Sequence, residues 1–458
     1  MAVGPDSPIF HESPDRWNTL RWALRCRKSA DNEWKDGSLT EDPLRVALLT
    51  YRGNPFCGGQ GVYVRHLSRE LDRLGHTVEI LSGQPYPVLD DGVRLVPVPS
   101  LDLYREPDPF RIPRWAELRD WVDVLELATM LTAGFPEPLT FTLRARRLLR
   151  SRLGQYDVVH DNQSLGYGLR RLRRPLVTTI HHPIQIDRRL ELAEAVGWRR
   201  LTLRRWYSFT RMQRRVAPNL RHVLTVSASS KAEIVAHLGV PTERVRVVPL
   251  GIDADRFAPD PAVPKVAGRI VTTASADVPL KGLLPLIDAL AKVRTERHAE
   301  LVVIGSARPD GPVQAAIERH SLHDAVRFTG RISDDELLHE LRAAELAVVP
   351  SLFEGFSIPL VEAMACGTPV VATTAGALPE VAGRDGEAAV LVPPGDEAAL
   401  AAAMRRLLDD PLDRERLADA GRQRVVERFT WRAAALATVD TYRAAIAEHR
   451  SRTRGQSC

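Results

Sequence analysis

Lysine is nearly missing from this chain of 458 residues. Only six lysines stand among its 63 basic residues, so arginine carries almost all the positive charge, as a GC-rich coding bias would give. Each remaining lysine is therefore a position worth explaining. Cysteine is as scarce. Cys26, Cys57, Cys366 and Cys458 are scattered, with no CxxC pair and no metal-ligand spacing. That excludes a disulfide scaffold or a zinc module and fits a reducing, cytoplasmic setting. No apolar run approaches the ~18 residues that span a bilayer. The first 42 residues are polar and hold no apolar core of a secretory signal, so they are expected to form a disordered tail. Acidic residues number 58, leaving a net charge of +5. With no nucleic-acid motif beside it, that balance argues against a nucleic-acid partner.

What is present reads as alternation. Short β-branched runs alternate with longer amphipathic stretches, the signature of βαβ units and parallel sheets. In the first half, strands are expected at Arg45–Thr50, Thr77–Ser82, Arg94–Val98, Asp157–His160, Leu176–His181 and His222–Ser227. In the second they are expected at Arg246–Leu250, Arg269–Thr273, Glu300–Gly305, Val326–Thr329, Leu346–Pro350, Val370–Thr373 and Ala389–Val392. A Pro- and Asp-rich stretch, Gly251–Gly268, reads as the linker. The expectation is an α/β protein of two Rossmann-like, doubly wound domains, residues 43–245 and 246–428, facing a central cleft. A final helix over 429–449 would pack back on the first domain. Ligands of such sheets sit at the carboxyl ends of the strands. Asp102–Thr140 breaks the rhythm, being long, Pro-rich and aromatic. It follows a strand, so it is either a wall of an acceptor site or a packed insertion.

The strongest motif is Glu354-Gly-Phe-Ser-Ile-Pro-Leu-Val-Glu362, leading to Gly-Thr-Pro369. Ser357 can cap a helix that Pro359 opens and Gly367 closes. A helix N-terminus offers N–H groups and partial positive charge to a diphosphate. Gly355 allows close backbone approach, and Phe356 and Ser357 lie on the same loop. Two carboxylates beside a phosphate make sense as acceptors for hydroxyls. Gly58-Gly-Gln-Gly61 lies between a strand and a helix, where a glycine-rich turn admits a ligand to the backbone. His181 ends a strand, with His182 as the one-residue alternative. His160-Asp-Asn-Gln163 ends the strand before it, making His160, Asp161 and Asn162 candidates for an acceptor pocket.

These pieces together resemble the retaining glycosyltransferases of family 4, which have the two-domain GT-B fold. The resemblance covers about 400 residues and also rests on Val247-Val-Pro-Leu-Gly-Ile-Asp253 and on Phe429-Thr-Trp431. It implies that Glu354 contacts the donor sugar and Glu362 holds the ribose. It implies that Lys281, one of the six lysines, neutralises the leaving diphosphate, and that His181 lies by the reacting sugar. Gly58, Gly59 and Gly61 would face the phosphate and acceptor, with Gln60 on the acceptor side. The base would rest by Val326–Thr329, bringing in Arg327 and Phe328. Many relatives carry an arginine just before that lysine; here Ala274-Ser-Ala-Asp-Val-Pro stands instead. Ser275, the helix terminus or Arg308 would have to substitute.

The implied reaction is transfer of a sugar from a nucleotide diphosphate donor to an acceptor hydroxyl with retention, needing neither metal nor cofactor. Asp253-Ala-Asp255 mimics a metal-binding DxD but falls in the linker. The acceptor stays open among small molecule, lipid and glycan. Trp198–Arg215 interleaves arginines with aromatics and reads as a helix, solvated or set between the domains, with an anionic membrane as the alternative surface for it. A nucleotide-sugar epimerase, a phosphorylase and a non-catalytic nucleotide-sugar-binding protein are the rival readings.

Overall fold

The computed structural model describes residues 42–53, 60–170, 172–274, 278–306 and 308–455. The N-terminal tail, Gly58, Gly59 and Ser275 lie outside the described residues. The first sheet holds β1 (Arg45–Thr50), β2 (Thr77–Ser82), β3 (Arg94–Pro97), β4 (Val158–Asn162), β5 (Leu176–Thr179), β6 (His222–Thr225) and β7 (Val245–Val247). The second holds β8 (Val266–Thr273), β9 (Glu300–Ile304), β10 (Val326–Phe328), β11 (Ala344–Val349), β12 (Val370–Thr373) and β13 (Val390–Val392). All pairings are parallel, in the orders β3-β2-β1-β4-β5-β6-β7 and β10-β9-β8-β11-β12-β13. The central strands are buried on both faces, as parallel sheets with helices on each side must be, while the edge strands β3, β7 and β10 are partly exposed.

In each sheet the chain winds outward one way and then the other. The order reverses between β1 and β4 and between β8 and β11, and such switch points open a crevice at the carboxyl ends of the strands. Tyr51, Gln60, Asn162 and Gln163 follow β1 and β4. Lys281 and Glu354 follow β8 and β11. The candidate residues therefore gather at the two switch points because of the winding, not because of their spacing in sequence.

Four helices position the site: α1 (Gln60–Arg73), α2 (Ala228–Leu238), α3 (Ile358–Ala365) and α4 (Trp431–Gly455). The last crosses back. Ile252 bridges Thr430, and a Cβ on Gly251 would lie 2.1 Å from the Trp431 nitrogen, so the chain passes itself where only glycine fits. Helix α4 then packs on the first sheet. Tyr442 is fully buried there and its hydroxyl meets His160 Nδ1 at 2.7 Å, while Glu448 pairs with Arg221 and His222.

Two sequence expectations change, and the segment after β3 gains a helix. Arg246–Leu250 was assigned to the second domain, but its strand, β7, is the last strand of the first sheet. A β6–α2–β7 crossover places it parallel beside β6, so the domain boundary falls after Val247. The aromatic segment after β3 contains a helix at Trp121–Leu131, capped by Asp120. Trp198–Arg215 is not one helix. It breaks at Tyr207–Phe209, where both rings turn inward and are buried.

Docking of α4 can be tested by replacing Tyr442 with alanine. Loss of a fully buried ring is expected to cost about 3–5 kcal/mol, with His160 Nδ1 left unpaired in addition. Urea unfolding followed by circular dichroism measures it; a loss under about 1 kcal/mol would mean that α4 is not part of the cooperative core.

Candidate active site

The motif loop is fixed from below. After β11, Ser351 is buried and its carbonyl accepts from Thr373 Oγ1 at 2.5 Å. Its hydroxyl donates to Glu354 Oε1 at 2.8 Å, and Lys281 Nζ donates to the same oxygen at 2.7 Å. The Glu354 carbonyl accepts from Ala377 N–H at 3.0 Å. A Cβ on Gly376 would come within 2.2 Å of that carbonyl, and its φ of +56° also calls for glycine. Lys281 is held in turn. Gly282 has φ +68°, and a Cβ there would fall 1.9 Å from the Pro350 carbonyl. The lysine and the first motif carboxylate are thus one unit, an ion pair that is one-third exposed on the lysine side.

Farther along the loop, Ser357 sits at φ 83°, an unusual backbone for a non-glycine residue, and caps α3 by accepting from Leu360 N–H. Pro359 contributes no N–H. Phe356 was expected to touch the donor, but its ring is buried against Phe429, at 5.7 Å between centroids, so only its backbone remains near the cleft. Glu362 lies one turn into α3. Burial, and then the nearby Asp334 charge, push its carboxyl up to about 7.

The facing wall belongs to the first domain. His181 follows β5, and its Nε2 donates to Asn162 Oδ1 at 2.9 Å, which leaves the lone pair on Nδ1. Gln163 brackets the turn: its Oε1 accepts from His181 N–H at 2.7 Å and its Nε2 donates to the His182 carbonyl at 3.1 Å. Tyr63, from α1, meets the His181 ring edge-on at 4.8 Å. Burial, and then the His182 charge, lower His181 to about 3, so the ring is neutral at pH 7.

Two contacts close the cleft. Ser227 accepts from Ser230 N–H as the cap of α2, and it also donates to the Gly355 carbonyl at 2.6 Å. Ser230 donates to the same carbonyl at 3.1 Å. The Glu380 carboxylate accepts from Ala228 and Ser229 N–H, both at 2.7 Å, at the positive end of α2. A Cβ on Gly355 would lie 3.8 Å from the His181 carbonyl. Glu354, Lys281 and His181, separated by up to 173 positions in sequence (354 minus 181), therefore share one cleft.

Several expected residues go elsewhere. His160 is fully buried, with Nδ1 on Tyr442 and Nε2 on Thr179 at 2.7 Å; burial lowers it to about 3. It is a core histidine, not an acceptor contact. Asp161 is also buried and accepts from Leu165 N–H and from the N–H and hydroxyl of Ser164, so it caps the turn after β4. Of that strand end Asn162 and Gln163 reach the site, through the His181 ring and backbone. The Arg327 side chain donates to Glu340 at 2.7 Å and Phe328 packs against the second domain's core, which leaves the backbone of this strand end to a base. Gln60 donates to the Tyr51 hydroxyl at 3.4 Å, and Gly61 is buried in the first turn of α1. Asp253 accepts from Arg69 and from Arg256 N–H, as a linker turn would. Ser227, Ser230, Ser351 and Glu380 had no sequence signal beyond ordinary capping patterns.

Two doubly wound domains meeting at their switch points, with a Lys–Glu pair on one wall and a neutral histidine on the other, define a GT-B glycosyltransferase. Comparison with known proteins agrees. Glycosyltransferase Family 4 matches residues 57–256, and Glycosyl transferases group 1 matches residues 267–410. An MMP α-(1→4)-mannosyltransferase of Mycolicibacterium hassiacum is 54% identical over 408 residues, 88% of this chain and 99% of that protein. Sucrose-phosphate synthase of Thermosynechococcus elongatus has the same fold at TM-score 0.65 and 24% identity, over 88% of this chain and 100% of that one. HepE of Anabaena, solved with UDP-glucose, has it at TM-score 0.63 and 18% identity, over 88% and 100%. The chain belongs to glycosyltransferase family 4, group 1, and is a transferase. Among the described residues no helix is long and apolar enough to cross a membrane.

The buried histidine gives a pH test. Its folded value lies below the unfolded one, so the stability it allows is complete above about pH 6.5 and is lost as pH falls toward 3. His160→Gln removes that titration. The variant is expected to be less stable than the parent at pH 8, and the gap should shrink by on the order of 1 kcal/mol per pH unit below pH 6.5. A gap that stays constant down to pH 4.5 in chemical denaturation would contradict the core assignment.

Proposed function

We propose that this enzyme transfers mannose from a nucleoside diphosphate donor to the 4-hydroxyl of a mannoside, with retention and without a metal. The observation that carries the sugar and linkage is the 54% identity to an α-(1→4)-mannosyltransferase across nearly its whole length. The site chemistry supports the rest. The ammonium of Lys281 has three donors and spends one on Glu354 in the pair at 2.7 Å. The others suit a diphosphate. With Pro359 lacking an N–H and Leu360 donating to Ser357, the loop peptides before α3 are the backbone donors that would meet the phosphate. Glu362 accepts the ribose hydroxyls.

In the step itself, the acceptor 4-oxygen forms a bond to the mannose C1 on the face from which the diphosphate leaves. The C1–O bond to phosphate breaks, and its electron pair goes to the leaving nucleoside diphosphate. The hydroxyl proton passes to a phosphate oxygen. Neutral His181 orients the sugar through Nδ1, and Glu354 accepts from a sugar hydroxyl. Lys281 gathers the negative charge as it develops, so catalysis is positioning plus electrostatics.

The assay pairs UDP-, GDP- and ADP-sugars with methyl α-mannoside and reads the product by proton NMR. An α-(1→4) mannoside formed equally with and without EDTA is expected. Glu354→Ala should lower kcat at least ~100-fold, the scale of a lost transition-state contact. A ligand at 100 times its Kd adds about 2.7 kcal/mol of stability, and Glu362→Ala should abolish that thermal shift for the donor. A β-linked product, or activity that EDTA removes, would sink the retaining, metal-free scheme; transfer of another sugar would sink the mannosyl assignment.

A further inference from the structure

The first domain holds a cavity that the transfer reaction leaves unused. It is framed by the chain just before β5, by the start of β6 and by the last turns of α4. It therefore opens beside the amino ends of β5 and β6, whereas the cleft lies at the carboxyl ends, and Glu354, Lys281 and His181 take no part in it. Its volume is about 430 Å³, within the range of small-molecule sites. Leu165, Leu169, Leu220 and Ala445 give it a buried apolar floor, and Arg170, Arg174, Arg221 and Arg452 stand around it.

The charge there is not cancelled from within. Both carboxylates of the cavity are committed elsewhere. Glu448 pairs with Arg221 at 2.6 Å and with His222 at 2.8 Å, and Asp161 accepts from Leu165 N–H at 3.0 Å in the turn after β4. Arg170, Arg174 and Arg452 remain. Among the described residues none of the three has a carboxylate within ion-pair distance. Arg174 spends its Nε on the Leu153 carbonyl at 3.1 Å, and Arg170 lies 5.9 Å from the Tyr167 ring. The charges of Arg174 and Arg452 also converge on His449, which lines the same cavity. Burial first, then those two guanidiniums, hold its imidazole below the usual histidine range. Three guanidiniums at one cavity, with no anion of the protein's own, call for an anion from outside.

We propose that this cavity binds a small phosphate ester, with the phosphate on Arg170, Arg174 and Arg452 and the organic body on the leucine floor. Guanidinium forks match phosphate oxygens in bidentate pairs. Inorganic phosphate would leave the apolar floor uncovered, and a neutral apolar molecule would leave the arginines unanswered. The site also joins two pieces of the fold. Arg170 and Arg174 belong to the first domain, while Arg452 lies in the last turn of the helix that crosses back from the second. A bound phosphate ties the end of α4 to the first sheet, on the helix whose Tyr442 holds His160.

Isothermal titration of the full chain with phenyl phosphate, at constant ionic strength, tests the site. The parent and Lys281→Ala should bind with the same Kd, because Lys281 lies in the cleft. Arg170→Gln combined with Arg452→Gln should weaken binding at least about tenfold, the scale of lost charge-assisted hydrogen bonds. Both arginines are exposed, so the fold is not at stake in that variant. Sodium phosphate should bind more weakly than phenyl phosphate, and hydrogen exchange over 170–176 and 445–455 should slow when phenyl phosphate is added. Binding that Lys281→Ala removes and the arginine pair leaves intact would put the anion in the cleft and overturn the proposal. Equal affinity for sodium phosphate would strip the floor of its role and overturn the ester assignment. No binding in the parent, with sedimentation on phosphatidylglycerol vesicles that the arginine pair abolishes, would overturn it in favour of a lipid surface.

Discussion

The carbonyl of Gly355 accepts two hydroxyl hydrogen bonds from the opposite domain, from Ser227 and Ser230. At that point two separately wound sheets become one site. Glu354 and Lys281 are fixed within the second domain, and His181 within the first; neither group alone can hold a sugar between them. The clasp satisfies the helix as well as the loop. The first three N–H groups of α2 are taken by Glu380, Glu380 and Ser227, so the terminus has no buried orphan donor. A Cβ at position 355 would meet Ser230 Oγ at 3.4 Å and the His181 carbonyl at 3.8 Å, ordinary contacts, so the clasp is made by the backbone carbonyl and does not itself require glycine. The Gly355 carbonyl thus serves domain closure.

The pairing of Lys281 with Glu354 changes how the motif is understood. Read separately, one is a cation for phosphate and the other an acceptor for sugar hydroxyls. Joined through one carboxylate oxygen, each fixes the other's rotamer, and Ser351 fixes both. The charge is preset before any ligand arrives, which is what electrostatic preorganisation requires. His181 is preset similarly. Its Nε2 is committed to Asn162 and its backbone to Gln163, so the free lone pair has one direction. Burial keeps the ring uncharged, and a neutral ring can accept from a hydroxyl.

Much of this was legible in the chain. Strand positions followed from β-branched runs, and Gly239 ended its helix at φ 67° as expected. The Glu354–Glu362 loop, its Ser357 cap and its Pro359 opening were local signals, and local signals survive folding. The failures share a cause. His160 and Asp161 sit beside Asn162 on the same strand end, yet one reaches across to Tyr442 and one folds back on Ser164. A strand alternates faces, and sequence does not say what each face meets.

The sequence by itself determined the winding of both domains, the loop-to-helix motif and the scarcity of lysine that singled out Lys281, because periodicity, capping and composition are properties of neighbours along the chain. Tertiary structure alone decided which residues meet: that Lys281 holds Glu354, that Ser227, Ser230 and Glu380 lock the domains, and that β7 belongs to the first sheet. Those pairings join positions tens to hundreds apart. They exist only because parallel winding delivers every strand's carboxyl end to the same side, where residues without any sequence relation become neighbours.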